Sequence, residues 1–129
     1  MKLILFIYLS VFSCFALLAQ RNISDWSNAS SENISVERLA GDSLTTSFLI
    51  QIREYVPLHY HAVHSEHVYI LSGKGEFVMN ADTTRVSEGM YLFIPSKSTH
   101  SVEVTSRQPM RVLSIQCPEF TGADRIKVP

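Results

Sequence analysis

From Ser35 onward, no stretch of the chain keeps a helical apolar period for about ten residues. That removes the amphipathic helix as a building block and leaves strands. Short runs rich in Val, Ile, Tyr, Phe and Thr recur instead: Ser35–Leu39, Ser47–Ile52, Leu58–His61, His67–Leu71, Glu76–Met79, Thr83–Val86, Tyr91–Ile94, Ser101–Thr105 and Arg111–Cys117. Turn residues separate them, among them Gly41-Asp42, Pro57, Ser72-Gly73-Lys74-Gly75, Asn80-Ala81-Asp82, Ser87-Glu88-Gly89 and Pro95-Ser96. Eight or nine short strands at this spacing predict an all-β sandwich or barrel.

The first residues follow a different logic. Met1-Lys2 is a minimal positive start, and Leu3–Leu18 is almost wholly apolar. The run is shorter than the ~20 residues that span a bilayer. It reads as a signal peptide over residues 1–19, cleaved after Ala19, with no stable membrane span once cleaved. A periplasmic or secreted protein is the expectation. A membrane anchor, or a lipoprotein built on Cys14, are the alternatives. Removing the leader leaves Cys117 as the only thiol, so no disulfide framework is possible, and Cys117 reads as a small core residue. Residues 20–34 are polar and rich in Ser and Asn, which predicts a flexible linker whose Trp26 could dock on a neighbouring surface. The β-rich domain is expected over 35–118, with a loop-like tail over 119–129.

A hydrophobic share of 46% excludes a chain disordered throughout, and a net charge of −1 supplies no basic excess for nucleic acid. The chemistry is concentrated elsewhere. Of five histidines, four fall between positions 59 and 67, and the fifth is His100. His59 and His61 are two apart on an expected strand, so both imidazoles face the same way. Glu66 and His100 each stand near the start of another strand. Three imidazoles and a carboxylate suit a divalent metal such as Zn, Fe, Ni or Mn. His67 follows Glu66 and alternates away from it.

These residues also carry a resemblance. His59-Tyr60-His61, four residues, Glu66, six residues and Gly73 resemble the first motif of the cupin superfamily. Gly89, five residues, Pro95, two residues and Ser98-Thr99-His100 resemble the second. Three family positions differ: Arg53 and Lys97 stand where glycines are usual, and Val104 where an Asn is usual. None is a ligand in the family. The resemblance spans about residues 35–118. It implies a double-stranded β-helix of jelly-roll form, metal ligands His59, His61, Glu66 and His100, and dimerisation through outer sheet faces.

It does not imply a reaction, because this fold hosts many. One expectation is a metal-dependent enzyme that isomerises or opens a small sugar acid or related oxygen-rich metabolite, as in polysaccharide breakdown. The alternatives are an Fe(II)-dependent dioxygenase and a non-catalytic module binding a sugar or small acid. No catalytic residue is assigned. Tyr55, His64, Tyr91 and Arg53 are candidates for proton transfer or anion binding. His64 reads first as a solvated loop residue, and Tyr69 and Tyr91 as core. The imidazoles must be neutral to bind metal, so affinity is expected to fall below roughly pH 6.

Overall fold

The computed structural model describes residues 21–129, and the leader expected at 1–19, with Cys14, lies outside the described residues. Ten strands follow in order: β1 (Ile34–Gly41), β2 (Thr46–Ile52), β3 (Tyr55–His61), β4 (Ser65–Ser72), β5 (Lys74–Met79), β6 (Asp82–Ser87), β7 (Tyr91–Ile94), β8 (His100–Val104), β9 (Met110–Cys117) and β10 (Arg125–Lys127). They form two antiparallel sheets, ordered β1-β2-β9-β4-β7 and β10-β3-β8-β5-β6. From β2 onward the chain crosses between sheets at almost every connection, which closes the sandwich into a jelly-roll barrel. Among the described residues there is no helix.

Alternation builds the core. Along β9, Met110, Val112, Ser114 and Gln116 turn inward and their neighbours turn out. Ile52, Ile70, Phe77, Val86, Ile94, Val102, Met110 and Val112 form one buried cluster between the sheets. Each such burial contributes about 1.5–3 kcal/mol. Gly73 is required where the end of β4 crosses β9. Its φ is +92°, and a Cβ there would stand 2.7 Å from the Met110 Cα. Asn80, at φ 55°, begins the two-residue turn joining β5 to β6.

Two segments depart from expectation. Residues 21–33 contain no strand, yet they are tied to the first sheet. Trp26 is buried, its indole N–H donating to Glu37 at 2.5 Å, and Arg111 donates to its carbonyl. Gln51 exchanges two hydrogen bonds with the Asn28 backbone, and Arg53 donates to the Ser30 carbonyl at 2.6 Å. Polar composition suggested a loose linker; these polar groups hold it down instead. The tail, expected as a loop, returns as β10 and adds an edge strand beside β3. Cys117, read as a small core residue, is half-buried at the end of β9.

Candidate metal centre

The register between β3 and β8 sets His59 directly opposite His100. Both rings are buried, with centroids 4.2 Å apart. His61 lies two residues further along β3 on the same face, its ring 5.3 Å from His59 and 5.4 Å from His100. The three offer nitrogens that all lie within 4.8 Å of one another. Glu66 arrives from the opposite sheet as an inward residue of β4. Its Oε2 stands 3.5 Å from Nε2 of both His61 and His100.

The backbone selects which nitrogen faces inward. His59 Nδ1–H donates to the Pro57 carbonyl at 2.8 Å, and His100 Nδ1–H to the Ser98 carbonyl at 3.0 Å. A carbonyl only accepts, so each Nδ1 carries the hydrogen and each Nε2 keeps its lone pair. His61 is buried with no hydrogen-bond partner on either nitrogen among the described residues. Its Nδ1 lies 3.9 Å from Asp124 Oδ2, leaving Nε2 towards Glu66. An orphaned buried nitrogen costs about 1–3 kcal/mol, and a cation at Nε2 would satisfy it.

Glu66 is held from behind. Ser114 Oγ donates to Oε1, and Gln116 Nε2 does so at 3.4 Å. Burial alone would raise the Glu66 pKa, but the neighbouring His100 and His61 rings and the hydrogen bond from Ser114 outweigh it and hold the carboxyl well below its usual range. Burial, followed by the neighbouring His100 and Arg125 charges, pulls His59 down to about 4. At neutral pH the site therefore offers a neutral His59 beside an anionic Glu66, which is the state a divalent cation needs. Donor chemistry, protonation and the orphaned His61 nitrogen all fit a metal.

A second cluster, His61, His64 and Asp124, is less suited to one. Both ring nitrogens of His64 are spent, Nδ1 on Asp124 and Nε2 on the Glu119 carbonyl at 2.6 Å. The Asp124 carboxylate also accepts the backbone N–H of Val63 at 2.8 Å and of His64 at 3.0 Å. This pair latches the tail against the β3–β4 turn. His64 is thus buried behind the centre and not a solvated loop residue.

The other candidates stand apart. Tyr55 shares sequence parity with His59, but the register shifts between Val56 and His59, where Pro57 has no N–H to give the ladder. Tyr55 consequently lies exposed on the outer face. Arg53 sits in the β2–β3 turn, bound to Ser30. Tyr91 and Tyr69 are exposed rather than in the core, and the Tyr91 hydroxyl meets His67 Nδ1 at 2.5 Å on that outer surface. None of these four lines the cavity at the centre. Lys97, in a family glycine's place, has the left-handed φ of 68° that such a glycine would adopt freely.

The centre opens on a cavity of about 170 Å³. Ser114 and Gln116 are absent from the candidates drawn from sequence, although alternation along β9 turns both inward and would have been the signal for them. The tail residues carried no such signal. Phe120 and Arg125 line the cavity, and Arg125 pairs with His61 across β10 and β3, so the two side chains share a face. Burial lowers the Arg125 pKa while the Glu66 charge raises it; the guanidinium remains a cation.

A family model described as "Cupin domain" matches residues 47–116. An uncharacterized protein of Aquifex aeolicus is 32% identical over 97 residues, covering 75% of this chain and 79% of its own. Among solved structures, an uncharacterized conserved Klebsiella pneumoniae protein with a double-stranded beta-helix domain superposes with TM-score 0.73 at 12% identity, over 86% of this chain and 97% of that one. Streptomyces PAC13 with uridine, a protein described as a unique nucleoside dehydratase, superposes with TM-score 0.70 at 14% identity, over 86% and 91%. At such identities these structures establish the shared fold.

Proposed function

This chain belongs to the cupin domain family, and from that premise we propose that it is a metal-dependent enzyme of isomerising or ring-opening type. Its substrate would be a small acid with adjacent oxygen atoms, the class to which sugar acids belong. The observation that carries the reading is the set of inward Nε2 atoms on His59, His61 and His100 facing a buried carboxylate. A bound divalent cation would supply Lewis acidity at a carbonyl or hydroxyl oxygen.

The chain's own residues do the rest. The Pro57 and Ser98 carbonyls fix two imidazoles in one tautomer. Ser114 and Gln116 hold the Glu66 carboxylate in place. Phe120 and the aliphatic walls keep bulk water from the donors. Arg125 at the cavity rim offers a positive charge to an acid. The apolar run Leu3–Leu18 supports export, and with it a substrate met outside the cytoplasm.

Elemental analysis of the purified chain tests the first step. About one divalent ion per chain is expected, and its loss in the paired variant His59→Ala, His61→Ala. Turnover of candidate acids should proceed unchanged without air. Strict consumption of O₂ would favour an oxygenase. Ligand affinity that survives loss of the metal would favour a binding module.

A further inference from the structure

The polar and apolar parts of the cavity are unequally shared. Sixteen of its 23 lining residues are hydrocarbon or thioether side chains, including Val56, Val68, Ile70, Leu92, Met110 and Phe120. The remainder are the four proposed ligands, Gln116, Ser101 and Arg125. A polyhydroxylated molecule needs a partner for each hydroxyl it buries, at about 1–3 kcal/mol for each one left unpaired. The walls do not supply that many partners. The volume, about 170 Å³, is also below the ~300 Å³ at which drug-sized pockets begin.

The polar groups that remain are specific in kind. Arg125 enters none of the ion pairs found among the described residues. Its register opposite His61 directs it to the face of the metal donors. Lys127, two residues on, stands opposite His59 and adds a second cation to the same edge. Gln116 Oε1 is buried and accepts no hydrogen bond among the described residues, so it awaits a donor such as a hydroxyl.

We infer that the cavity takes a small 2-hydroxy or 2-oxo carboxylic acid with an apolar body. Arg125 receives the carboxylate, and the aliphatic walls receive the carbon chain. Gln116 Oε1 accepts from the hydroxyl of the hydroxy form. The inference rests on the metal-centred reading above and narrows its substrate from oxygen-rich acids in general to those with a single oxygenated end.

Two six-carbon 2-hydroxy acids isolate the difference. Calorimetric titration of the metal-loaded chain with 2-hydroxy-4-methylpentanoate should give at least tenfold tighter binding than with gluconate. The amide of the first acid should bind at least tenfold more weakly than the acid itself. Arg125→Gln should abolish the preference for acid over amide, and Arg125→Lys should restore part of it. The acid-to-amide ratio in the unaltered chain needs no variant and guards against a folding defect. Equal or tighter binding of gluconate, or an acid-to-amide ratio near one, would overturn the inference and leave the metal reading standing. A loaded chain that binds neither acid would do the same. A chain that takes up no metal would overturn both.

Discussion

Two regions meet at this centre, and they are held by different means. The four donors sit on β3, β4 and β8, inside ladders whose register leaves each side chain one direction to point. Asp124, Arg125 and Phe120 sit on the tail, which is anchored at few points. These include a three-residue pairing of β10 with β3, the Asp124 carboxylate, the Glu119 carbonyl on His64, backbone bonds from Ala62 to Asp124 and from Val128 to Leu58, and a Phe120 N–H to Thr46 bond at 3.0 Å. Strand register positions atoms rigidly with little help from any one side chain. A latch concentrates the same task in a single carboxylate. The proposed metal donors are therefore on the ladder strands, and Arg125, proposed to receive an acid ligand, is on the latched tail.

The contrast can be broken most directly by substituting one member from each region. His61→Ala removes a proposed ligand and should lower metal affinity by more than the ~100-fold typical of an outer partner. Asp124→Ala should lower it by about 10-fold, because it removes only the group behind His61. It should nonetheless cost about 3 kcal/mol of stability, since three donors lose their charged acceptor. Competition titration with a metal chelator and chemical denaturation measure the two effects. An Asp124 variant as metal-deficient as the His61 variant would erase the distinction.

Acid should separate the two regions in sequence. His59 is protonated near pH 4 when folded, and near 6.5 when unfolded. The unfolded chain thus binds its proton first, and the metal-free protein should lose about 2 kcal/mol as pH falls from about 6.5 to about 4. For Asp124, burial raises the pKa, but hydrogen bonds from His64 and Val63 outweigh it and the net shift is downward. Its contribution is present above the ordinary carboxylate range and is lost only as pH falls below it. Melting temperature followed against pH, with hydrogen exchange at the Val63 and His64 amides, should show the core weakening before the latch opens. Exchange at those amides rising first would reverse the order.

The smallest effect is expected in the turn before β8. Lys97 donates its N–H to the His61 carbonyl at 2.6 Å while holding φ at 68°. A side chain in that conformation costs about 1–2 kcal/mol, and glycine's greater freedom when unfolded returns about 0.5–1 of it. Lys97→Gly should therefore raise stability by up to about 1 kcal/mol and leave metal affinity unchanged, as thermal melts and the same titration would show.

The all-β fold and the four clustered donors were legible because strand alternation and motif spacing are local properties. Nine apolar runs separated by turn residues required strands, and His59 and His61 two apart required a shared face. Parity alone could not place Tyr55, because Pro57 interrupts the ladder and the register shifts between Val56 and His59. It was also silent on Tyr69 and Tyr91, since alternation does not say which of two faces is wet.

Residues 34–117 thus carried their architecture and their donor set in the order of their amino acids. What the tertiary structure alone decided was the use of the tail. Nothing local in Glu119–Pro129 marks Asp124 as the partner of His64 or Arg125 as the neighbour of His61. Those roles exist only because the folded barrel leaves one edge of β3 unpaired, and a polar three-residue strand becomes worth forming when that edge is there to receive its hydrogen bonds.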